Sequence, residues 1–271
     1  GNSVTITVAA SAPTLYYYCT QHSGMGGQVN TNTSLGSSNF DGSIQTITKA
    51  NPTAGFSIVT YTGTGSAGTI GHGLGVVPDV IITKRRDGSG EWTIYHKDLE
   101  HSSSTNHRVI RFTTGYQTGS SSLYYGNDPT STVQHQAAYT DLNGSSETYV
   151  AYCFSGVEGY SKHGLYYGNS DDNGFFVFTN FRPAFLLVKR RDGTTNWCIL
   201  DNKRDPDNVV NTRLFPNSSS ADSVSSGNVS AVDFLSNGFK VRDSHADGNS
   251  SSGEYIYLAF AESPFKNSRA R

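Results

Sequence analysis

Short apolar runs alternate with polar, glycine-rich stretches along most of this chain. VIITK (80–84) and FLLVK (185–189) have the length and composition of strands that are buried on both faces. GEWTIYH (90–96) alternates instead, as a half-buried strand does. ETYVAYCF (147–154) and GEYIYLAF (253–260) are further apolar strands, and the polar stretches between them read as surface loops. The pattern therefore predicts an all-β protein.

The strand pattern occurs twice, at a spacing of about 105 residues. VPDVIITKRRDGSGEWTIYHKD (77–98) matches RPAFLLVKRRDGTTNWCILDNK (182–203), with the turn sequence KRRDG identical in both copies. An internal match of this kind is the signature of a repeat architecture. The aligned residues that we assign to the structural core of each repeat are Pro78 with Pro183 and Trp92 with Trp197.

The repeat defines the domain organisation that we predict. Two tandemly duplicated β-sandwich units, jelly-roll-like and about 105 residues long, occupy residues 55–158 and 159–271. Residues 1–26 form an N-terminal hairpin fragment, and residues 27–54 are a linker or an extended arm. The sequence leaves open whether the two units form two sandwiches or one larger sandwich.

Composition agrees with this fold and removes several classes of function. Tyrosine (16), phenylalanine (14) and glycine (29) are abundant, as in proteins of many short strands joined by tight turns. The net charge of -2 gives no basic footprint for nucleic acid. No stretch approaches the roughly 18 apolar residues of a membrane helix. The odd number of cysteines, three, predicts free thiols and folding in a reducing cytoplasm.

The segment YYYCTQHSGMGG (16–27) raises the possibility of a metal site. It places Cys19, His22 and Met25 three residues apart, and these are the side chains that a blue-copper site takes from one loop. Residues 1–27 resemble the C-terminal hairpin of cupredoxins, although the gap from histidine to methionine is shorter here. The upstream histidine that completes a cupredoxin site is also missing, and His72 belongs to the next unit. We interpret the segment as a cupredoxin-like hairpin with an incomplete metal site, and expect no cofactor.

Other polar clusters are weaker candidates for chemistry. KRRDG could hold an anionic ligand, but a structural role beside a tight turn explains it better. His245 lies between two carboxylates in a sequence that only one repeat contains, which favours a surface loop. The acidic loops lack the spacing of an EF-hand, although their oxygen atoms suit Ca²⁺. Those acidic residues are Asp171, Asp172, Asp201, Asp205 and Asp207.

Tyrosines in a recurring LYYGN sequence are the binding residues that we predict. The sequence occurs at 123–127 and 165–169. Tyrosine gives a rigid contact area, and the neighbouring small polar residues adapt to a ligand. Packing within strands is the alternative explanation for the same residues. The predicted ligand-binding residues are Tyr124, Tyr125, Tyr166 and Tyr167.

Most of the chain resembles structural proteins of marine bacteriophages, including cyanophages. The residues that carry the resemblance are GFSIVTYTGTGSAGTIGHGLGVVPDVIITKRRD, YVAYCFSGVEGYSKHG, VDFLSNGFKVRDS and YIYLAFAESPFKNSRAR. They look like the C-terminal domain of tail-fibre-type proteins, which often carry a YYYC..HSGMGG segment just upstream. The resemblance implies a virion surface protein that is assembled in the host cytoplasm.

These observations together predict a non-enzymatic phage virion protein, a tail fibre or appendage, that attaches to a host-surface glycan or protein. We expect a homo-oligomer, a trimer, that contacts other virion proteins. A purely architectural role, such as capsid decoration, is the alternative. A polysaccharide-degrading spike and a copper-binding electron carrier are less favoured, because no catalytic constellation or complete copper site is evident in the sequence.

Overall fold

The computed structural model describes residues 36–103, 106–107, 109–118, 127–224 and 231–263, and the strands at 15–18 and 26–29. Its strands are β1 (Leu15–Tyr18), β2 (Gly26–Val29), β3 (Ser37–Asn39), β4 (Thr46–Asn51), β5 (Phe56–Thr62), β6 (Gly68–Gly71), β7 (Val80–Arg85), β8 (Thr93–His96), β9 (His101–Ser103), β10 (Asn106–His107), β11 (Ile110–Arg111), β12 (Val133–Gln136), β13 (Thr148–Phe154), β14 (Ser161–Tyr167), β15 (Phe176–Phe178), β16 (Pro183–Arg190), β17 (Trp197–Asp201), β18 (Thr212–Arg213), β19 (Ser223–Val224), β20 (Val232–Leu235), β21 (Gly238–Val241) and β22 (Glu254–Ala261). One short helix, α1 (Thr140–Asn143), is described. The prediction of an all-β protein is confirmed.

Two large antiparallel sheets organise the described part of the chain. The first has seven strands in the order β11-β8-β7-β13-β5-β4-β3, and the second has four in the order β14-β22-β16-β17. Smaller sheets pair β6 with β12 and place β21 between β15 and β20. The strands up to β13 are called the first half below, and those from β14 onward are called the second half.

The two large sheets pack against each other through one face each. Strand β7 directs Val80 into this shared core, and β16 directs Leu187 into it. The neighbouring residues Ile81 and Leu186 point the other way, into the separate cores of the first and second half. Because successive side chains of a strand alternate in direction, the continuous apolar runs are explained by burial on both faces. That prediction for VIITK and FLLVK is confirmed.

Polar contacts across the shared core fix the position of one half on the other. The Trp197 indole Nε1–H donates to the Arg111 carbonyl at 2.7 Å. The Arg191 guanidinium donates to the Asp98 carbonyl at 2.6 Å, and the Gln117 backbone N–H donates to the Arg191 carbonyl at 2.8 Å. The interface is therefore specified by directional bonds as well as by apolar contact.

The segment predicted as a linker or extended arm is part of the first large sheet where it is described. Strand β4 pairs with β5 over its whole length, from Thr46 opposite Tyr61 to Asn51 opposite Phe56. Strand β3 then pairs with β4. The alternation of buried Thr46 and Thr48 with exposed neighbours is the strand signal that the polar composition concealed.

The N-terminal hairpin is described only as backbone. Strand β1 lies within the predicted hairpin fragment, and its antiparallel partner is β2, on the other side of residues 19–25. The earlier part of this fragment, VTITVAAS (4–11), lies outside the described residues. Among the described residues, no helix is long and apolar enough to cross a membrane.

Candidate functional site

An open groove, named the seam below, runs between strands β14 and β15. Residues 162–167 of β14 form its floor, and residues 175–178 form one wall. Lys97 and Asp98 of the first half form the opposite wall. The groove has a volume of about 580 Å³ and is open to solvent, which is within the range of sites that hold small ligands or short peptide segments.

Four large aromatic side chains line the seam and are exposed to solvent. Tyr167 is 55% exposed, Phe175 51%, Phe176 43% and Phe178 50%. Val177, between the last two, is buried in the core of the second half, so the alternation of the strand turns both of its neighbours outward. Exposed apolar groups scattered singly need no explanation, whereas a cluster of them is a candidate interaction surface.

A lysine bridges the two sides of the seam. The Lys162 ammonium group donates to the Phe178 carbonyl at 2.8 Å and lies 5.2 Å from the centre of the Phe178 ring. A cation over an aromatic face is an attractive arrangement. On the opposite wall the Lys97 ammonium lies 3.2 Å from the Asp79 carboxylate. The seam therefore combines an aromatic surface with fixed positive charge.

A buried polar cluster lies behind this wall and positions it. His163 Nδ1 donates to the Asp79 carboxylate at 3.1 Å, and the Gly156 N–H donates to the same oxygen at 2.8 Å. Burial alone would raise the pKa of Asp79, but the bond from His163 and the charge of Lys97 outweigh it and lower this pKa to about 2. Asp79 is therefore ionised at neutral pH, where it accepts the bond from His163 and pairs with Lys97.

His96 is the second histidine of the cluster and is neutral. Its Nδ1 accepts the Asp98 N–H at 3.1 Å, which leaves a proton on Nε2, 3.4 Å from the Tyr257 carbonyl. Burial and the nearby His163 lower the pKa of His96 to about 3. Its role is to join a loop of the first half to strand β22 of the second.

The pairing of His163 with Asp79 has the form of a general base with its orienting carboxylate. Its surroundings argue for a structural role. The His163 ring is fully buried, with the Phe154 and Phe260 ring centres 6.3 and 6.0 Å away. The ring has no surface exposed to solvent in the described fold. We therefore assign the pair to the interface between the halves.

A groove of the first half is filled by the chain itself. Strand β4 covers the edge of β5, and the Thr46 and Thr48 hydroxyls donate to the Gly71 carbonyl of β6 at 3.2 and 3.1 Å. A methyl group added at Gly71 would lie 1.8 Å from the Asn39 side-chain oxygen, so this position must stay small. Gly71 pairs with the first residue of β12, and in the second half Phe178 pairs with the first residue of β21.

The predicted binding tyrosines have different positions in the structure. The prediction that Tyr166 is a loop residue open to a ligand is wrong. It lies in β14, is buried, stacks on Tyr255 at 5.0 Å and donates its hydroxyl to the Gly248 carbonyl. Tyr167 ends the same strand with the opposite orientation and lies on the seam. Tyr124 and Tyr125 lie outside the described residues.

The predicted core residues differ in how far they are buried. Trp197 is buried in the interface between the halves, and Pro78 and Pro183 are buried as well. Trp92 is half-buried, with the Lys84 ammonium 5.9 Å from its ring centre. Arg85 pairs with Asp87 and Arg190 with Asp192, both at 2.8 Å. Part of the KRRDG sequence is thus explained by bonds beside the turn.

The three residues predicted to bind a metal, Cys19, His22 and Met25, lie outside the described residues. His72 is buried, with its Nε2 3.1 Å from the Thr130 carbonyl. In the part of the chain that is described, no group of three or more histidine, cysteine or acidic residues could hold a metal ion. Cys153 is a buried free thiol, as predicted, and burial raises its pKa to about 12. Cys198 is buried as well.

The carboxylates of the acidic loops accept hydrogen bonds from nearby backbone N–H groups. Asp205 accepts hydrogen bonds from the N–H groups of Asn211 and Thr212 and from the Thr212 hydroxyl. Asp243 and Asp247 do the same for Ala231 and Asn196. These carboxylates are turn and loop anchors.

The phenylalanines of the seam were not predicted from the sequence. Their signal is GFFVF (174–178), where two exposed aromatic residues flank one buried valine. A run of apolar residues usually indicates burial, so exposure of alternate positions could not be told from the pattern alone.

Comparison with known proteins gives a family without a function. A family described as a domain of unknown function (DUF7483) matches residues 30–264, and the chain belongs to this family. No curated protein and no solved structure matches the chain.

Proposed function

We propose that this member of the DUF7483 family is a non-enzymatic virion surface protein that attaches to a molecule of the host surface through the seam. The observation that carries the proposal is the set of exposed aromatic side chains along that one groove. Burying apolar surface is worth about 25 cal/mol per Å², and aromatic residues dominate the energetics of many interfaces. The seam is the part of the described surface best suited to binding.

Two further observations support the proposal. The resemblance of most of the chain to marine phage structural proteins supplies the virion context. The second observation is the difference between the two grooves. In the first half, the chain's own strand packs against small residues. In the second half, phenylalanines of the seam are exposed to solvent. The second groove is therefore suited to a partner outside the described fold.

We also infer that the two halves arose by tandem duplication of one sandwich unit. The order β8-β7-β13-β5 in the first half has its counterpart in β17-β16-β22-β14 in the second. Hydrogen bonds repeat as well. Tyr149 accepts the Gly144 N–H at 2.8 Å, and Tyr255 accepts the Ser250 N–H at 2.7 Å. Each tyrosine stacks on another, Tyr61 at 5.1 Å and Tyr166 at 5.0 Å.

Binding of the fluorescently labelled chain to host cells, with competition by the intact phage, tests the proposed function. We expect saturable binding that slows phage adsorption. The double substitution Phe176→Ala with Phe178→Ala is expected to weaken binding at least tenfold. Phe40→Ala is the matched control, because Phe40 is 71% exposed and lies outside the seam.

A folded chain that binds no host cells would contradict attachment and favour an architectural role such as capsid decoration. Binding that is equally strong in the double variant and in the control would contradict the role of the seam. Labelling the chain within the virion would then give its place in the particle.

A further inference from the structure

Strand β14 has a row of backbone groups that face the seam. The Ala261 N–H donates to the Tyr160 carbonyl, and the Gly168 N–H donates to the Gly253 carbonyl, so the even-numbered residues between them bond to β22. Backbone direction alternates in an antiparallel pair. The odd-numbered residues therefore present their N–H and C=O groups to the groove. Ser161 already bonds with Val157, which leaves those of His163, Leu165 and Tyr167.

No described strand pairs with this edge of β14. An unpaired row of donors and acceptors is a template for another strand. The first half shows how such an edge is used, because β4 pairs there with the corresponding strand β5 along six residues. The seam is the same edge with its strand position vacant in the described fold.

The shape of the seam restricts what can pair there. The edge of β14 lies between the phenylalanines of residues 175–178 on one side and Lys97 and Asp98 on the other. A segment that pairs with β14 would therefore lie between these two sets of residues. Every described strand of this chain is already paired, so the described fold has no strand left to donate.

We propose that the seam binds an extended segment of another protein as an added β-strand. This inference rests on the proposed function and names its partner as a polypeptide of the host surface. Side chains of a bound strand alternate in direction, so every second one faces Phe176 and Phe178 and is apolar. The intervening ones face Lys97 and Asp98 and are polar. Main-chain bonds supply affinity, and the aromatic wall supplies the choice of sequence.

A displayed library of nine-residue peptides, apolar at every second position, tests the proposal against the full chain. The key variant is Leu165→Pro, which removes one N–H that faces the seam and leaves the bonds to β22 intact, because proline is tolerated on edge strands. Thermal unfolding of this variant checks that it folds. Enriched peptides are then synthesised with single N-methyl groups at successive backbone positions.

We expect peptides that bind the wild-type chain and bind at least tenfold more weakly to Leu165→Pro. N-methylation should weaken binding at alternate positions only, with a period of two, because only those N–H groups face β14. If Leu165→Pro does not fold, this N-methyl pattern on the wild-type chain decides the question alone. Peptides without that period would overturn strand addition.

Three other outcomes would also overturn the proposal and remain distinguishable from failure of the proposed function. Host-cell binding without any enriched peptide would keep attachment and reject strand addition. Binding of a glycan array that Phe178→Ser abolishes and Leu165→Pro leaves unchanged would assign the seam to a saccharide. A concentration-dependent dimer that Leu165→Pro dissociates would assign it to a second copy. Absence of host-cell binding would instead reject the proposed function itself.

Discussion

Single tyrosine hydroxyls hold the loops of both halves to their sheets. Tyr255 donates to the Ala246 carbonyl at 2.8 Å and accepts the Ser250 N–H, and it is buried. The loop between these residues thus depends on one side chain for two backbone bonds. Burial raises the pKa of Tyr255 to about 12, so the hydroxyl remains protonated well above neutral pH.

Replacing Tyr255 with phenylalanine removes this hydroxyl and leaves both backbone groups without that partner. We expect Tyr255→Phe to lower the free energy of unfolding by about 1–3 kcal/mol, measured by urea denaturation. Tyr167→Phe is the matched control, because Tyr167 is exposed and should change stability little. Equal stability of the two variants would contradict the assigned role of the Tyr255 hydroxyl.

His96 makes the stability of the fold depend on pH. Its pKa is lowered to about 3 in the folded chain, from 6.5. The unfolded chain therefore binds more protons below pH 6.5, and folding stability falls as the pH decreases towards 3. Above pH 6.5 this contribution is complete and constant.

Between pH 6.5 and 5, His96 is expected to account for a loss of about 2 kcal/mol in the free energy of unfolding. Urea denaturation at several pH values measures it. His96→Gln can still donate to the Tyr257 carbonyl but does not titrate, so its stability should fall less steeply over this range. The same slope in both proteins would show that other groups cause the acid sensitivity.

At the scale of elements, strand β4 protects an edge that would otherwise be exposed. It covers β5 along its paired residues and is held to β6 by the Thr46 and Thr48 hydroxyls. Edge strands with unpaired backbone groups tend to associate with other chains. Strand β4 therefore both extends the sheet and covers the edge of β5.

A chain shortened to begin at Pro52 should lose this protection. We expect it to form larger species as its concentration rises, measured by size-exclusion chromatography with light scattering. A chain that begins at Gly36 keeps β3 and β4 and is the matched control. Monodisperse behaviour of the shorter chain equal to that of the control would show that β5 needs no cover.

The elements differ in how far the sequence could predict them. The apolar runs predicted β7, β16, β13 and β22, because burial on two faces leaves a clear pattern. Strand β4 was not predicted, since TITKAN contains one strongly apolar residue and its buried positions are threonines that bond across the groove. The seam was not predicted either, because it depends on which edge remains unpaired, and pairing between distant strands leaves no local signal.

Burial of Tyr166, at the candidate site, also could not be predicted from the local sequence. Two adjacent tyrosines in LYYGN look alike in the sequence, yet one is buried and the other is 55% exposed. Alternation along a strand separates them. Both tyrosines belong to the strand because it ends at Tyr167. The sequence does not show clearly where a strand ends.

The whole molecule is expected to unfold as one unit, because the halves share a core. Leu187 and Trp197 of the second half pack there with Val80, Ile94 and Ile110 of the first. Separating the halves would expose this surface on both. A single core common to two sheets couples their stability.

Calorimetry should therefore give one transition, with calorimetric and van't Hoff enthalpies in agreement. Leu187→Ala, in the shared core, is expected to lower the free energy of unfolding by about 2–5 kcal/mol and to leave the transition single. Leu186→Ala, in the core of the second half, is the matched comparison. Two separate transitions in the wild-type chain would show that the halves are independent.

The indole of Trp197 gives this interface an optical signal. It is 1% exposed and bonds to Arg111 of the other half, whereas Trp92, the only other tryptophan, is half-buried within the first half. Emission from Trp197 should be the more blue-shifted and the less accessible to a dissolved quencher such as iodide. In a chain with Trp92→Phe, a red shift would therefore report the parting of the two halves without any added label.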